Sequence, residues 1–327
     1  MIRYLFIFWV ALICATAQAG TITEVPPAPT LPVYGKTVQV PENAAHQSNC
    51  AGVSEAGIAG CTSKFSWRTK VGRYWANYYR NLAIAYNVNT GAVTALRPIQ
   101  GDTDTVVNGV TPGGRIWGQS MYGLFGVTSK IVEWDATGTP TLLGMGKATA
   151  ADDLGRIAIF NQLCDASGCV TPANVYEILA LSNSGDYLAV YVEFDAEGTE
   201  HAGLWRASDY AAREPEDFCG GACLADLGAS PMRAALNSAG VAVWSGSAAG
   251  FVAAPGLDSV YYDAPLAWVS EIGVSVGGSQ IIRADGTIEP IPLGIYSDMR
   301  ALGINSSGGI VGESKSGAYW SAFVYVQ

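Results

Sequence analysis

The densest concentration of chemically capable side chains lies between Lys64 and Arg80, in K-F-S-W-R-T-K-V-G-R-Y-W-A-N-Y-Y-R. Lys64, Arg68, Lys70, Arg73 and Arg80 are interleaved there with Phe65, Trp67, Tyr74, Trp75, Tyr78 and Tyr79, with no acid among them. Aromatic faces stack on sugar rings or on a partner's apolar surface, and arginines pair with carboxylates or phosphates. Trp67, Arg68, Arg73, Tyr74, Trp75, Tyr78, Tyr79 and Arg80 are therefore the candidate binding residues, for an acidic glycan or a protein partner. The competing expectation is that the aromatics pack between structural units while the cations balance an acidic body.

Catalytic signatures are sparse. The sequence has no G-x-S-x-G, no H-E-x-x-H, no P-loop and no G-x-G-x-x-G opening a helix. His46 and His201 are assigned surface or packing roles. The acid pairs Asp102 with Asp104 and Asp152 with Asp153 have the residue type that glycosidic chemistry requires, two carboxyl groups roughly 5 to 10 Å apart. Such residues also form turns, which is the assignment preferred here. The alternate spacing of Asp102 and Asp104 suits a calcium loop, but the residues after Asp104 do not match the spacing of an EF-hand. No metal and no cofactor is expected.

Cysteine usage and the first residues point to export. Arg3, an apolar run from Tyr4 to Ile13 and Ala17-Gln18-Ala19 form the three regions of a secretory signal peptide over residues 1 to 19, with a retained anchor as the alternative. Ile13 is not the small residue that lipoprotein processing at Cys14 would need. The mature chain would retain Cys50, Cys61, Cys164, Cys169, Cys219 and Cys223, an even set suited to an oxidising periplasmic or extracellular compartment. Proximity favours the pairs Cys50 with Cys61, Cys164 with Cys169 and Cys219 with Cys223. Cys219-x3-Cys223 lacks the second ligand pair of a zinc site. No other apolar stretch is long enough to be a transmembrane helix. A net charge of −10 argues against sequence-independent nucleic-acid binding, and the 14% charged and 49% hydrophobic content argue against disorder.

The elements that position these residues come from a repeat. Ile304-Asn305-Ser306-Ser307-Gly308 recurs as Val53 to Gly57, Val110 to Gly114, Leu181 to Gly185, Leu236 to Gly240 and Val269 to Gly273, and more weakly as Ala151 to Gly155. A small polar residue followed by Gly between apolar runs reads as strand, tight turn, strand. A second turn follows most copies, at Asn87 to Gly91, Trp134 to Gly138, Ala254 to Gly256 and Ala284 to Gly286. Four strands (a to d) per unit, several of them apolar on both faces, predict an all-β fold: a β-propeller of seven four-stranded blades, with six as the alternative.

Residues 20 to 35, rich in proline, read as an extended segment, and residues 36 to 327 as a single propeller domain. The last repeat lacks a fourth strand, and Lys36 to Val40 is expected to supply it and close the ring. The interval between Gly155 and Gly185 is only 30 residues, so the third unit is expected to be incomplete or fused with its neighbour. Long insertions are expected between strands b and c (Cys61 to Arg80, Asn161 to Pro172, Glu193 to Glu200) and between d and a (Ala207 to Met232). They would make one elaborated face, braced by disulfides, that carries function.

Ala301-Leu302-Gly303-Ile304-Asn305, then Gly309-Ile310-Val311-Gly312-Glu313-Ser314 and Ala322-Phe323-Val324-Tyr325, resemble the extracellular HAF repeat. Asn108 to Thr111 with Ile116 to Ser120 is similar to its opening, and His201 to Trp205 to its closing part. The resemblance implies a secreted β-repeat protein and brings no catalytic residues. The function expected is thus an exported, non-catalytic binding scaffold acting through the loop-rich face. The alternatives are a secreted carbohydrate-active hydrolase or lyase using carboxylates near the central channel, and a structural cell-envelope subunit.

Overall fold

The computed structural model describes residues 20–28, 40–122, 129–172, 175–192, 200–205, 216–219, 233–246, 249–254 and 260–326. The features expected at residues 1–19, 36–39, 193–199 and Cys223 lie outside the described residues. All regular structure among the described residues is β-strand, arranged as seven four-stranded antiparallel sheets. Neighbouring first strands contact one another around the ring, as in a β-propeller.

All seven copies of the repeat are the turn between strands a and b of a blade. In six of them the small polar residue accepts, through its side chain, the N–H four residues on: Ser54 from Ile58, Thr111 from Arg115, Asp152 from Arg156, Asn237 from Val241, Ser270 from Val274 and Asn305 from Gly309, at 2.8 to 3.1 Å. The glycine closing each turn has φ between 78° and 100°, from Gly57 to Gly308, a backbone conformation in which a Cβ is strained. The weak copy at Ala151 to Gly155 is therefore a full member. The second set of turns, including Asn87 to Gly91 and Ala284 to Gly286, joins strands c and d as expected.

Seven apolar clusters hold the ring, each between two consecutive blades; Ala83, Leu96, Val107 and Trp134 join the first to the second, and Val276, Ala301, Ile310 and Phe323 the sixth to the seventh. Every sheet thus buries both faces, which is why strands such as Ala242–Ser245 show no alternation.

Three expectations are corrected. An N-terminal strand does close the ring, but it is Thr21–Glu24, paired in register Thr21 to Val326 through Glu24 to Phe323, and Val40 is not in a strand. Thr-Ile-Thr has the β-branched character a strand favours and precedes the prolines, which lack the N–H a ladder needs. The third unit is complete, since Ala150–Ala151, Ile157–Ile159, Gln162–Asp165 and Gly168–Val170 form one sheet of very short strands. Consequently Asn161 to Pro172 is not a b-to-c insertion, and Ala207 to Met232 is interrupted by the fourth strand Glu216–Cys219.

Among the described residues two disulfides, Cys50–Cys61 and Cys164–Cys169, are present. Both join directly opposed residues of neighbouring strands in one blade. Cys164 and Cys169 flank a c-to-d turn, at the end of the blade opposite the b-to-c loops, so the bridges staple blades and do not brace the elaborated face. Cys219 lies on the fourth strand of the fourth blade.

Candidate functional site

The stretch from Lys64 to Arg80 is an unbroken two-stranded ribbon. Strands Ile58–Val71 and Tyr74–Asn87 pair without a shift from Ile58 with Asn87 to Val71 with Tyr74, turning at Gly72 and Arg73. The first strand of the blade pairs only as far as Ser66. Five further residues, 67 to 71, therefore carry the ribbon roughly 17 Å past the body, with both edges unpaired among the described residues.

Strand alternation sorts its side chains onto two faces. Phe65, Trp67, Val71, Tyr74, Tyr78 and Arg80 share one face. Lys64, Arg68, Lys70, Trp75 and Tyr79 share the other. On the first face Trp67 and Tyr78, directly opposed, stack with centroids 5.7 Å apart and planes at 13°. Phe65 is buried beside His46, and Trp67 leans on the cluster that holds Val25, Ala28 and Cys50. Arg80 is buried, donating to the Thr103 carbonyl and lying 3.6 Å from the Asp104 carboxylate. Burial lowers the Arg80 pKa and Asp104 opposes that shift.

The second face is open. Arg68 lies over the Trp75 ring at 5.2 Å, a cation–π contact between diagonal neighbours of the ribbon. Trp75 is 59% exposed, Tyr79 46% and Tyr74, at the tip, 80%; Arg68 and Arg73 are also exposed. Of the candidate residues, Trp67, Tyr78 and Arg80 are thus drawn into packing, while Arg68, Arg73, Tyr74, Trp75 and Tyr79 face solvent. A second aromatic–cation group sits at the same end of the seventh blade, where Arg300 lies 4.4 Å over Trp320 and Lys315 6.0 Å from it.

The acid pairs are occupied. Asp102 accepts from Ser120 and from Lys130, both at 2.7 Å. Asp104 accepts from the Asn81 N–H and from Thr103. Asp152 pairs with Arg156 at 2.5 Å. Asp153 accepts from Thr111, the Gly113 N–H and Asn183, linking three blades. No group of three metal-ligating side chains occurs among the described residues. His46 stands on the first strand of the first blade, with its pKa lowered by burial and raised in part by Glu24. His201 lies on the third strand of the fourth.

The central channel holds residues that the repeat pattern did not single out. It is a cavity of about 410 Å³ lined by the innermost strands of all seven blades. Four of those strands carry a register shift at the same place, three residues before the turn residue, at Ala51, Asn108, Leu179 and Leu302. All four bulged residues line the cavity. The available signal was their constant offset from the turn. The channel's charged lining residues are Lys147, Glu177, Arg233 and Glu271. Glu271 belongs to an a-to-b turn and accepts from Ser238, whereas Glu177 lies near the start of its strand, so the two carboxylates stand toward opposite ends.

No protein-family model and no curated protein matches the chain. Solved structures do. PorZ, an essential surface component of the type-IX secretion system of Porphyromonas gingivalis, aligns at 11% identity with a TM-score of 0.39, covering 86% of this chain and 45% of PorZ. The present chain thus spans about half the PorZ length. A candidate 6-phosphogluconolactonase of Bacteroides fragilis aligns at 14% identity and TM-score 0.32, covering 86% of this chain and 98% of that one. The gluconolactonase XC5397 of Xanthomonas campestris aligns at 12% identity and TM-score 0.33, covering 92% and 98%. Likeness at this level says nothing about activity.

Proposed function

We propose that the protein is an exported binding module, of the HAF-repeat kind, that engages an acidic partner, glycan or protein, through the ribbon of its first blade. The observation that carries this reading is the two-faced ribbon itself. One face anchors it to the body through Phe65, Trp67 and Arg80, which leaves Arg68, Lys70, Trp75 and Tyr79 presented together on the other. A cationic and aromatic surface favours an anionic partner surface by charge complementarity. The aromatics contribute contact area at little entropy cost because the strands already fix them. Export is supported by the position of the closing strand, which begins at Thr21, two residues beyond the expected cleavage point after Ala19.

The test is capture. Mature protein and an R68A/K70A/W75A variant, first shown to melt alike, are compared on an array of acidic and neutral glycans and in pull-downs from envelope extract. Selective, salt-sensitive capture by the native protein and its loss in the variant supports the reading. Equal behaviour of the two assigns the ribbon to structure alone. Amino-terminal sequencing of the exported chain should begin at Gly20.

A further inference from the structure

The central channel is lined with polar groups that the fold leaves unused. Arg233, the exposed first residue of the innermost strand Arg233–Leu236, has a side chain that makes no hydrogen bond and no ion pair with any described residue. Lys147, just ahead of the innermost strand of the third blade, likewise makes none, although it acts electrostatically on Glu177. The Asn108 amide nitrogen, set into the channel by its bulge, is buried without an acceptor among the described residues. Arg233 and Lys147 are exposed cations, whereas the Asn108 amide is a buried donor without a partner, which is costly and calls for an explanation.

We propose that the channel is a binding site for a small organic carboxylate, anchored by Arg233, with Lys147 and Asn108 as further donors. The cavity of about 410 Å³ falls in the range of small-molecule sites, roughly 300 to 1,000 Å³. A carboxylate matches the planar fork of a guanidinium, and a ligand of this sign supplies what the lining lacks.

The surrounding charges agree. Arg233 is held near Arg300 and Glu313, and Arg300 already pairs with Glu313 at 3.3 Å, so Arg233 is the cation left over. Burial pushes the Glu177 carboxyl up and Lys147 pulls it back down, so Glu177 is the acid that shares the channel with these cations. Apolar residues from the bulged strands, Ala51, Leu179 and Leu302, leave room for a compact apolar portion beside the carboxylate.

Isothermal titration of the mature protein with acetate, L-malate, D-gluconate and inorganic phosphate tests the site. At least one of the carboxylates is expected to bind at one site per chain. R233Q should weaken that binding at least tenfold, R233K should retain part of it, and E177Q, which removes the opposing charge, should strengthen it. The R68A/K70A/W75A ribbon variant should bind as the native protein does. Binding of phosphate alone, of none of the four, or equally by R233Q and the native chain would overturn the proposal. The E177Q gain distinguishes a site from mere structural damage at Arg233, since loss of packing would not reverse its sign.

Discussion

Asn305 and Ser54, 251 residues apart in sequence, are joined by a hydrogen bond of 3.1 Å from the Asn305 amide nitrogen to the Ser54 carbonyl. The oxygen of the same amide accepts the Gly309 N–H at 2.8 Å and so fixes its own turn. One side chain therefore shapes the turn of the last blade and fastens it to the first. Asn237 does the same between the fifth and sixth blades, with the Val241 N–H at 2.8 Å and the Ser270 carbonyl at 3.0 Å. The polar residue of the repeat is a clasp between blades as well as a turn former.

Asn305→Ala should accordingly lower stability by about 2 to 3 kcal/mol, since two hydrogen bonds are lost and the Ser54 carbonyl is buried. Asn305→Asp keeps the acceptor and should cost less. Urea melts of both variants check the order; an alanine variant as stable as the native chain would remove the clasp from the account.

Ring closure rests on residues 21 to 28. Beyond the strand pairing, the Val25 N–H donates to the Ala322 carbonyl at 2.9 Å and the Ala28 N–H to Ser63 at 2.9 Å, while Val25 and Ala28 are buried between the seventh and first blades. A chain beginning at residue 29 should melt well below the native protein and expose the Val326 edge to aggregation. An unchanged transition by calorimetry would mean that closure contributes little.

The disulfides Cys50–Cys61 and Cys164–Cys169 close short loops, with separations of 11 and 5 residues. Chain entropy makes them worth about 3 and about 2 kcal/mol. Cys50→Ala/Cys61→Ala should therefore lower the melting temperature more than Cys164→Ala/Cys169→Ala, and both variants should still fold, because the interblade clusters remain.

The His46 ring is half-buried and its Nε2 is buried without a hydrogen-bond partner among the described residues. Burial lowers its pKa below 6.5, against the smaller raising effect of Glu24. A depressed histidine leaves the unfolded chain binding more protons, so its contribution is present above about pH 6.5 and lost as the pH falls toward the folded value. Stability measured from pH 7.5 to 5 should fall less steeply in His46→Gln than in the native protein; parallel profiles would assign the slope to other groups.

Much of this architecture was legible because its periodic signal is local. Turn chemistry at Asn305 or Asp152 depends on residues within five positions, so all seven a-to-b turns could be read directly. What was misplaced depends on distant pairing. Thr21–Glu24 finds its partner at the other end of the chain, and nothing local separates it from Lys36 to Val40. The strands of the third blade are two to four residues long and carry too little pattern to be told from a loop. The composition of the ribbon was evident, but its division into an anchoring and an open face depends on the register that sets Trp67 against Tyr78. The channel donors Asn108, Lys147 and Arg233 come together only through the closure of the ring.

The most direct test of the binding surface removes the ribbon. Replacing residues 68–77 with Asn-Gly preserves the packed Trp67 and Tyr78 pair and supplies a tight hairpin turn. Calorimetry and partner capture measured on the same preparation should show a melting temperature within a few degrees of native and capture abolished. Capture that survives the excision would contradict the ribbon as the binding surface.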